Sequence, residues 1–104
     1  MQMYFIFEVR IRPGYSAEQY AAAWVRASKL IQQAPGARGT RLHRRIDDPK
    51  VLLAIASWES KEHRDAMEAN PNRLVTDIIA AEARFVDVRL IGEFQEAEWI
   101  VEPD

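Results

Sequence analysis

The side chains with chemistry to offer in this sequence are few. Trp58 closes an apolar run over residues 51–58, VLLAIASW, and shares its parity there with Leu52, Ala54 and Ala56. Two alanines on one side of an extended segment leave room, and close-packed interiors tolerate few voids. Trp58, Trp24 and Phe7 are large enough to fill that room or to wall it. As walls they would stack on a flat aromatic ligand; as fillers they would be ordinary core. His43, in Arg41-Leu42-His43-Arg44-Arg45, is the side chain of that stretch able to act as a base near neutrality. It shares a face with Arg41 and Arg45, a face equally suited to solvent or to a partner's acidic segment. Arg44, on the Leu42 side, would reach inward for an anionic ligand or a carboxylate, because a buried unpaired charge is costly. Tyr4 and Tyr20 carry phenols that either orient a ligand or keep an apolar body under a wet tip. His63, between Glu62 and Arg64, reads as a solvated helix position.

Much other chemistry is excluded. The chain has no cysteine, which removes disulfides, iron–sulfur clusters, thiolate zinc sites and cysteine nucleophiles. Two histidines on different elements make no metal pair, so no metal is expected. There is no glycine-rich phosphate loop and no serine-centred elbow, so neither a nucleotide nor a flavin nor any other cofactor is expected. A net charge of −2 gives no basic excess for nucleic acid. No apolar run approaches the ~20 residues that span a bilayer. Met1-Gln2-Met3-Tyr4 lacks the basic start of a secretory signal, and a cytoplasmic location is expected. What remains is chemistry that the substrate drives itself. A deprotonated hydroquinone can pass an electron to O₂ without a metal. The protein then supplies a dry apolar pocket, a base for the phenolic proton, and donors for the developing oxyanion.

The elements that must position these residues follow from periodicity. Residues 3–12 place Met3, Phe5, Phe7, Val9 and Ile11 at period two, a strand ended by Pro13-Gly14. Ser16-Ala17-Glu18-Gln19 is a capping box opening a helix whose apolar stripe runs from Tyr20 through Trp24 to Ala34, before Pro35-Gly36. Residues 38–46 read as a polar second strand, and 47–50 as a turn. Residues 51–58 are apolar on both faces, the pattern of a strand covered on both sides. Ser60 caps a short helix over 61–69, Asn70-Pro71-Asn72 breaks it, and a further helix carries Leu74, Val75, Ile78 and Ile79. Residues 84–92 make the last strand, with Val86, Val88 and Leu90 inward. The order βαββαβ predicts a ferredoxin-like α+β fold with a four-stranded antiparallel sheet and the helical segments on one face. The other face is most simply covered by a second copy, since a two-fold interface uses one patch twice.

With these elements in place, FEVRIRPG at residues 7–14, Pro35-Gly36 before the second strand, and IASWESKEHRDAM at 55–67 resemble the antibiotic biosynthesis monooxygenase family. The resemblance covers residues 3–92 and is most specific in Trp58-Glu59-Ser60. It implies a dimeric α/β barrel. It also implies one of several activities: cofactor-free oxygenation of aromatic polyketides or quinols, haem degradation, or a reaction not yet known. The haem-degrading members use an Asn on strand one, a Trp late in the second helix and a following His. Here Phe7 and Met67 stand in the first two places, and no His follows His63. The polyketide-oxidising members pair the tryptophan at Trp58 with an Asn four residues earlier, where this chain has Ala54. Many members open the third helix with a His after a Pro, and Asn72 takes that place, which marks it as substrate-binding by resemblance.

The expectations are therefore these. Residues 1–92 form one domain, and 93–104 form an acidic tail that packs on the partner of a homodimer. The function is a cofactor-independent monooxygenase on a small aromatic or quinol, with Trp58 and His43 catalytic and Phe7, Trp24, Arg44 and Asn72 binding substrate. The alternatives are a non-catalytic dimeric binding module, or a non-oxidative isomerase or cyclase in the same pocket.

Overall fold

The apolar periodicities resolve into seven elements in the computed structural model, which describes residues 1–104. They are β1 (Met3–Ile11), α1 (Ala17–Ile31), β2 (Ala37–Arg44), β3 (Val51–Trp58), α2 (Lys61–Ala69), α3 (Arg73–Glu82) and β4 (Val86–Gln95). One turn of 3-10 helix, Ala83–Phe85, joins α3 to β4. The capping box forms: the Gln19 N–H donates to Ser16 Oγ at 3.1 Å, and the Ser16 N–H donates to Gln19 Oε1 at 2.8 Å. Ser60 Oγ accepts from the His63 N–H at 3.2 Å and opens α2. Gly36 turns α1 into β2 with φ +83°, and a Cβ there would overlap the His63 ring. His63 is thus half-buried against this turn, with Nδ1 2.6 Å from Ser60 Oγ, rather than solvated as expected.

The sheet has the order β2-β3-β1-β4 and is antiparallel throughout. The helices cover one face, and the short molecular dimension of 19 Å is that of one sheet and one helix layer. Register decides which side chains meet. Phe5 pairs with Ala56, Phe7 with Ala54, and Val9 with Leu52, so these lie together under the helices. Val9, Ile11, Ala17, Tyr20, Leu52 and Val86 make the core cluster. Tyr4, Ile6, Glu8, Leu53, Ile55 and Ser57 point to the other, open face.

Three expectations change in detail. Residues 51–58 form an interior strand, as their composition required, but on the open side Leu53 and Ile55 are only half-buried within one chain. The last strand begins at Val86, because α3 continues into the 3-10 turn, and it runs past Gly92 to Gln95 by pairing with Met3. Val88 and Leu90 lie on the helix side as expected, yet they are 61% and 59% exposed, because β4 is the edge strand and the helices stop short of it. A bulge also interrupts β4: Leu90 pairs with Phe7 and Gly92 with Ile6, which leaves Ile91 as the extra residue.

Candidate active site

Small residues on β3 leave a space between sheet and helices. Ala54 and Ala56 form its floor, Phe5 and Phe7 lie beside them on β1, and Trp24 and Ile31 come down from α1. Trp58 is 2% exposed and bounds the space at the end of β3. The cavity measures about 370 Å³, inside the roughly 300–1,000 Å³ range of small-molecule sites. Of its 20 lining residues 16 are hydrophobic, and the polar ones are Ser28, Thr40, Arg64 and Glu82.

Two of those four are charged, and sequence reasoning passed over both. Glu82 is the last residue of α3 and is 7% exposed. It lies seven residues beyond Val75, two helical turns along the same stripe, and these are the two buried positions of the helix. Its Oε2 is sealed from solvent with no hydrogen-bond partner. Burial pushes the carboxyl up to about 7 from 4.5, with Arg26 pulling weakly the other way. Burial likewise pushes the Tyr20 hydroxyl up, and the charge of Glu82 adds to it. Arg64 on α2 is held by Glu68, one turn along its own helix, and its guanidinium lies 4.1 Å above the Phe5 ring. The signal for Glu82 was present in the spacing, as a carboxylate on an otherwise apolar helical stripe.

The residues picked from the sequence divide evenly. Trp58, Trp24 and Phe7 meet on the cavity. Arg44 lies on the helix side but at the strand end, where it reaches Glu18 of α1 at 2.9 Å in an exposed ion pair. His43 pairs with Leu53 and so faces the open side of the sheet, away from the cavity. Asn72 caps α3 by accepting from the Leu74 N–H at 2.8 Å, and it borders a separate, more polar cleft between α1 and the α2–α3 junction.

The sequence profile of the family described as antibiotic biosynthesis monooxygenase matches residues 3–75. The chain belongs to the antibiotic biosynthesis monooxygenase family. No curated protein sequence matches it. Solved structures with the same fold include SnoaB from Streptomyces nogalater, described as a cofactor-independent oxygenase. SnoaB has a TM-score of 0.81 and 16% identity, over 97% of this chain and 98% of its own. Proteins assigned by likeness as antibiotic biosynthesis monooxygenases superpose as well. One from Deinococcus radiodurans has a TM-score of 0.76 and 17% identity, with both chains covered completely. One from Bordetella bronchiseptica has a TM-score of 0.68 and 21% identity, over 92% of this chain and 97% of its own. At these identities the likeness is one of fold. No helix of this family member is long and apolar enough to cross a membrane.

Proposed function

We propose that this chain is a cofactor-independent monooxygenase of a small aromatic substrate, a phenol or quinol, and that it works as a homodimer. The observation that carries this reading is the cavity, an apolar space of substrate size with three large aromatic side chains, Trp58, Trp24 and Phe7, on its walls. Such walls suit a flat ring, which gains from stacking beyond the area it buries. An apolar lining also disfavours water beside a reactive oxygen adduct. The balance needs no external reductant. A substrate CH₂ beside a phenolate becomes C=O, one oxygen atom enters the product and the other leaves as water, and all the electrons come from the substrate and O₂. The family, and the fold shared with the oxygenase SnoaB, support this chemistry. His43, Arg44 and Asn72 do not line this cavity.

The dimer is supported by what one chain leaves uncovered. Leu53, Ile55, Ile6 and Tyr4 form an apolar stretch on the open face, and Phe94 beside them is 48% exposed. Beyond β4, Trp99, Ile100 and Val101 stand 88%, 67% and 97% exposed. Packing of the open faces, with the tail across the partner, buries both sets. Oxygen uptake with anthrone-type and naphthol substrates tests the activity: one O₂ consumed per ketone or quinone formed is expected. Tight binding of those compounds without oxygen uptake would replace the oxygenase by a non-oxidative pocket. Light scattering should give twice 12.0 kDa, and a single 12.0 kDa species at micromolar concentration would remove the dimer.

A further inference from the structure

A carboxylate in an apolar wall without a partner has to be explained. Charged groups are taken out of water at high cost unless paired or hydrogen-bonded, and native proteins leave few buried polar atoms unsatisfied. Ion pairs account for the carboxylates of Glu8, Glu18, Asp47, Glu68 and Asp87, which all lie at the surface or half-exposed. Glu82 alone has a sealed oxygen with no partner, and that residue lines the aromatic cavity.

We propose that Glu82 is the proton acceptor of this cavity, its carboxylate taking the proton of a phenolic hydroxyl carried by the aromatic ligand. The inference rests on the aromatic-ligand reading of the cavity and adds to it which group the ligand must present and to which residue. The ligand's O–H bond breaks, an O–H bond to Glu82 forms, and a phenolate remains; O₂ is not needed for this step. The groups around Glu82 leave it free for that task. From α1, Tyr20 stands beside it with a hydroxyl that burial keeps protonated, and Arg26 acts on it without an ion pair. From α2, Arg64 is engaged by Glu68 and Phe5 yet lines the same cavity, so a cation is present for the phenolate formed. From the turn after α3, Arg84 stacks on Phe85 at 5.2 Å. The sheet contributes no ionisable side chain to the cavity wall. A carboxyl titrating near neutrality is matched to general-base work, whereas one at its ordinary value is too weak a base.

The test uses two probes of the same shape, 2-naphthol and 2-methoxynaphthalene, with binding to the intact protein followed by tryptophan fluorescence and calorimetry on either side of pH 7. Above pH 7 the wild type should prefer the naphthol by roughly tenfold or more, the ratio that one charge-assisted hydrogen bond gives. The preference should shrink below pH 7, as Glu82 becomes neutral. In Glu82→Gln it should become small and independent of pH, and in Glu82→Leu it should vanish while the methyl ether still binds. Equal binding of both probes to the wild type, or an unchanged preference and pH profile in Glu82→Gln, overturns the assignment of Glu82 and leaves the aromatic pocket standing. Failure of both probes to bind the wild type overturns the pocket and Glu82 with it.

Discussion

On the open side of the sheet, Glu8 accepts a hydrogen bond from Arg89 at 2.7 Å, directly across from it in the β1–β4 ladder. That bond holds the Glu8 carboxyl below its ordinary range. On the helix side, Glu82 Oε2 is sealed from solvent without a hydrogen-bond partner, and burial lifts its carboxyl to about 7. The open side carries many charges: Arg10 with Asp48, Arg12 with Asp87 and Arg45 with Asp47 are further pairs. The helix side has surface pairs too, Arg44 with Glu18, Lys61 with Glu93 and Arg64 with Glu68, but none of them includes Glu82. The ion pairs at the surface satisfy their own groups, and the single carboxylate without a partner marks the place where something is still to be bound.

Three substitutions bear on this contrast, in descending order of effect. Trp58→Ala removes a 2% exposed side chain that also bounds the cavity. It should cost roughly 3–5 kcal/mol of stability by denaturant unfolding and weaken binding of flat aromatics. A stability change near zero would mean that the helix side has no tight wall at Trp58. Glu82→Gln comes next. Its folded value lies above its unfolded one, so wild type and variant should be alike below pH 4.5, where the carboxyl is protonated in both states. As pH rises through about 7 the folded wild type must hold an uncompensated charge. The variant should then be the more stable by roughly 2–3 kcal/mol, read from unfolding curves across pH. Glu8→Gln on the open side should behave in the opposite sense and more weakly. The Glu8 value is depressed, so the wild type should hold an advantage above pH 4.5 and lose it as pH falls further. High salt should reduce that advantage. If Glu8→Gln and Glu82→Gln shifted with pH in the same direction, the contrast between the two sides would fail.

The sequence disclosed the fold to the extent that its periodicities were clean. The period of two in β1, the capping box at Ser16 and the breaker at Asn70-Pro71 all correspond to observed elements. The cavity was legible for the same reason: Ala54, Ala56 and Trp58 share one parity, and register then places Phe5 and Phe7 beside them. The polar members of the site were less legible. His43 and Arg44 drew attention by residue type, but β2 is polar on both sides and its alternation says little about depth. Arg44 emerges where the α1 start offers Glu18, and His43 emerges opposite the helices. Asn72 is taken up by its helix cap. Glu82 was hidden in the reverse way, since a stripe traced through apolar residues steps over the charged residue lying on it. The facing of β4 was legible up to Leu90 but not beyond it, because one extra residue in a strand has no signature in hydropathy.

That extra residue, Ile91, acts as a phase shifter. Up to Leu90 the odd and even positions of β4 count in step with β1, and beyond it they count one out. The first stretch therefore gives Val86, Val88 and Leu90 to the cavity wall. The second sends Phe94 to the open face, opposite Tyr4, and turns Glu93 toward the helices, where Lys61 meets it at 3.1 Å. Were Ile91 paired in step with Ile6 instead of left out of the ladder, the last third would turn over, carrying a phenyl ring to the side where Lys61 now holds a carboxylate and a carboxylate onto the face left for a second copy. A single letter of sequence thus lets one strand speak to the ligand with its beginning and to the outside with its end.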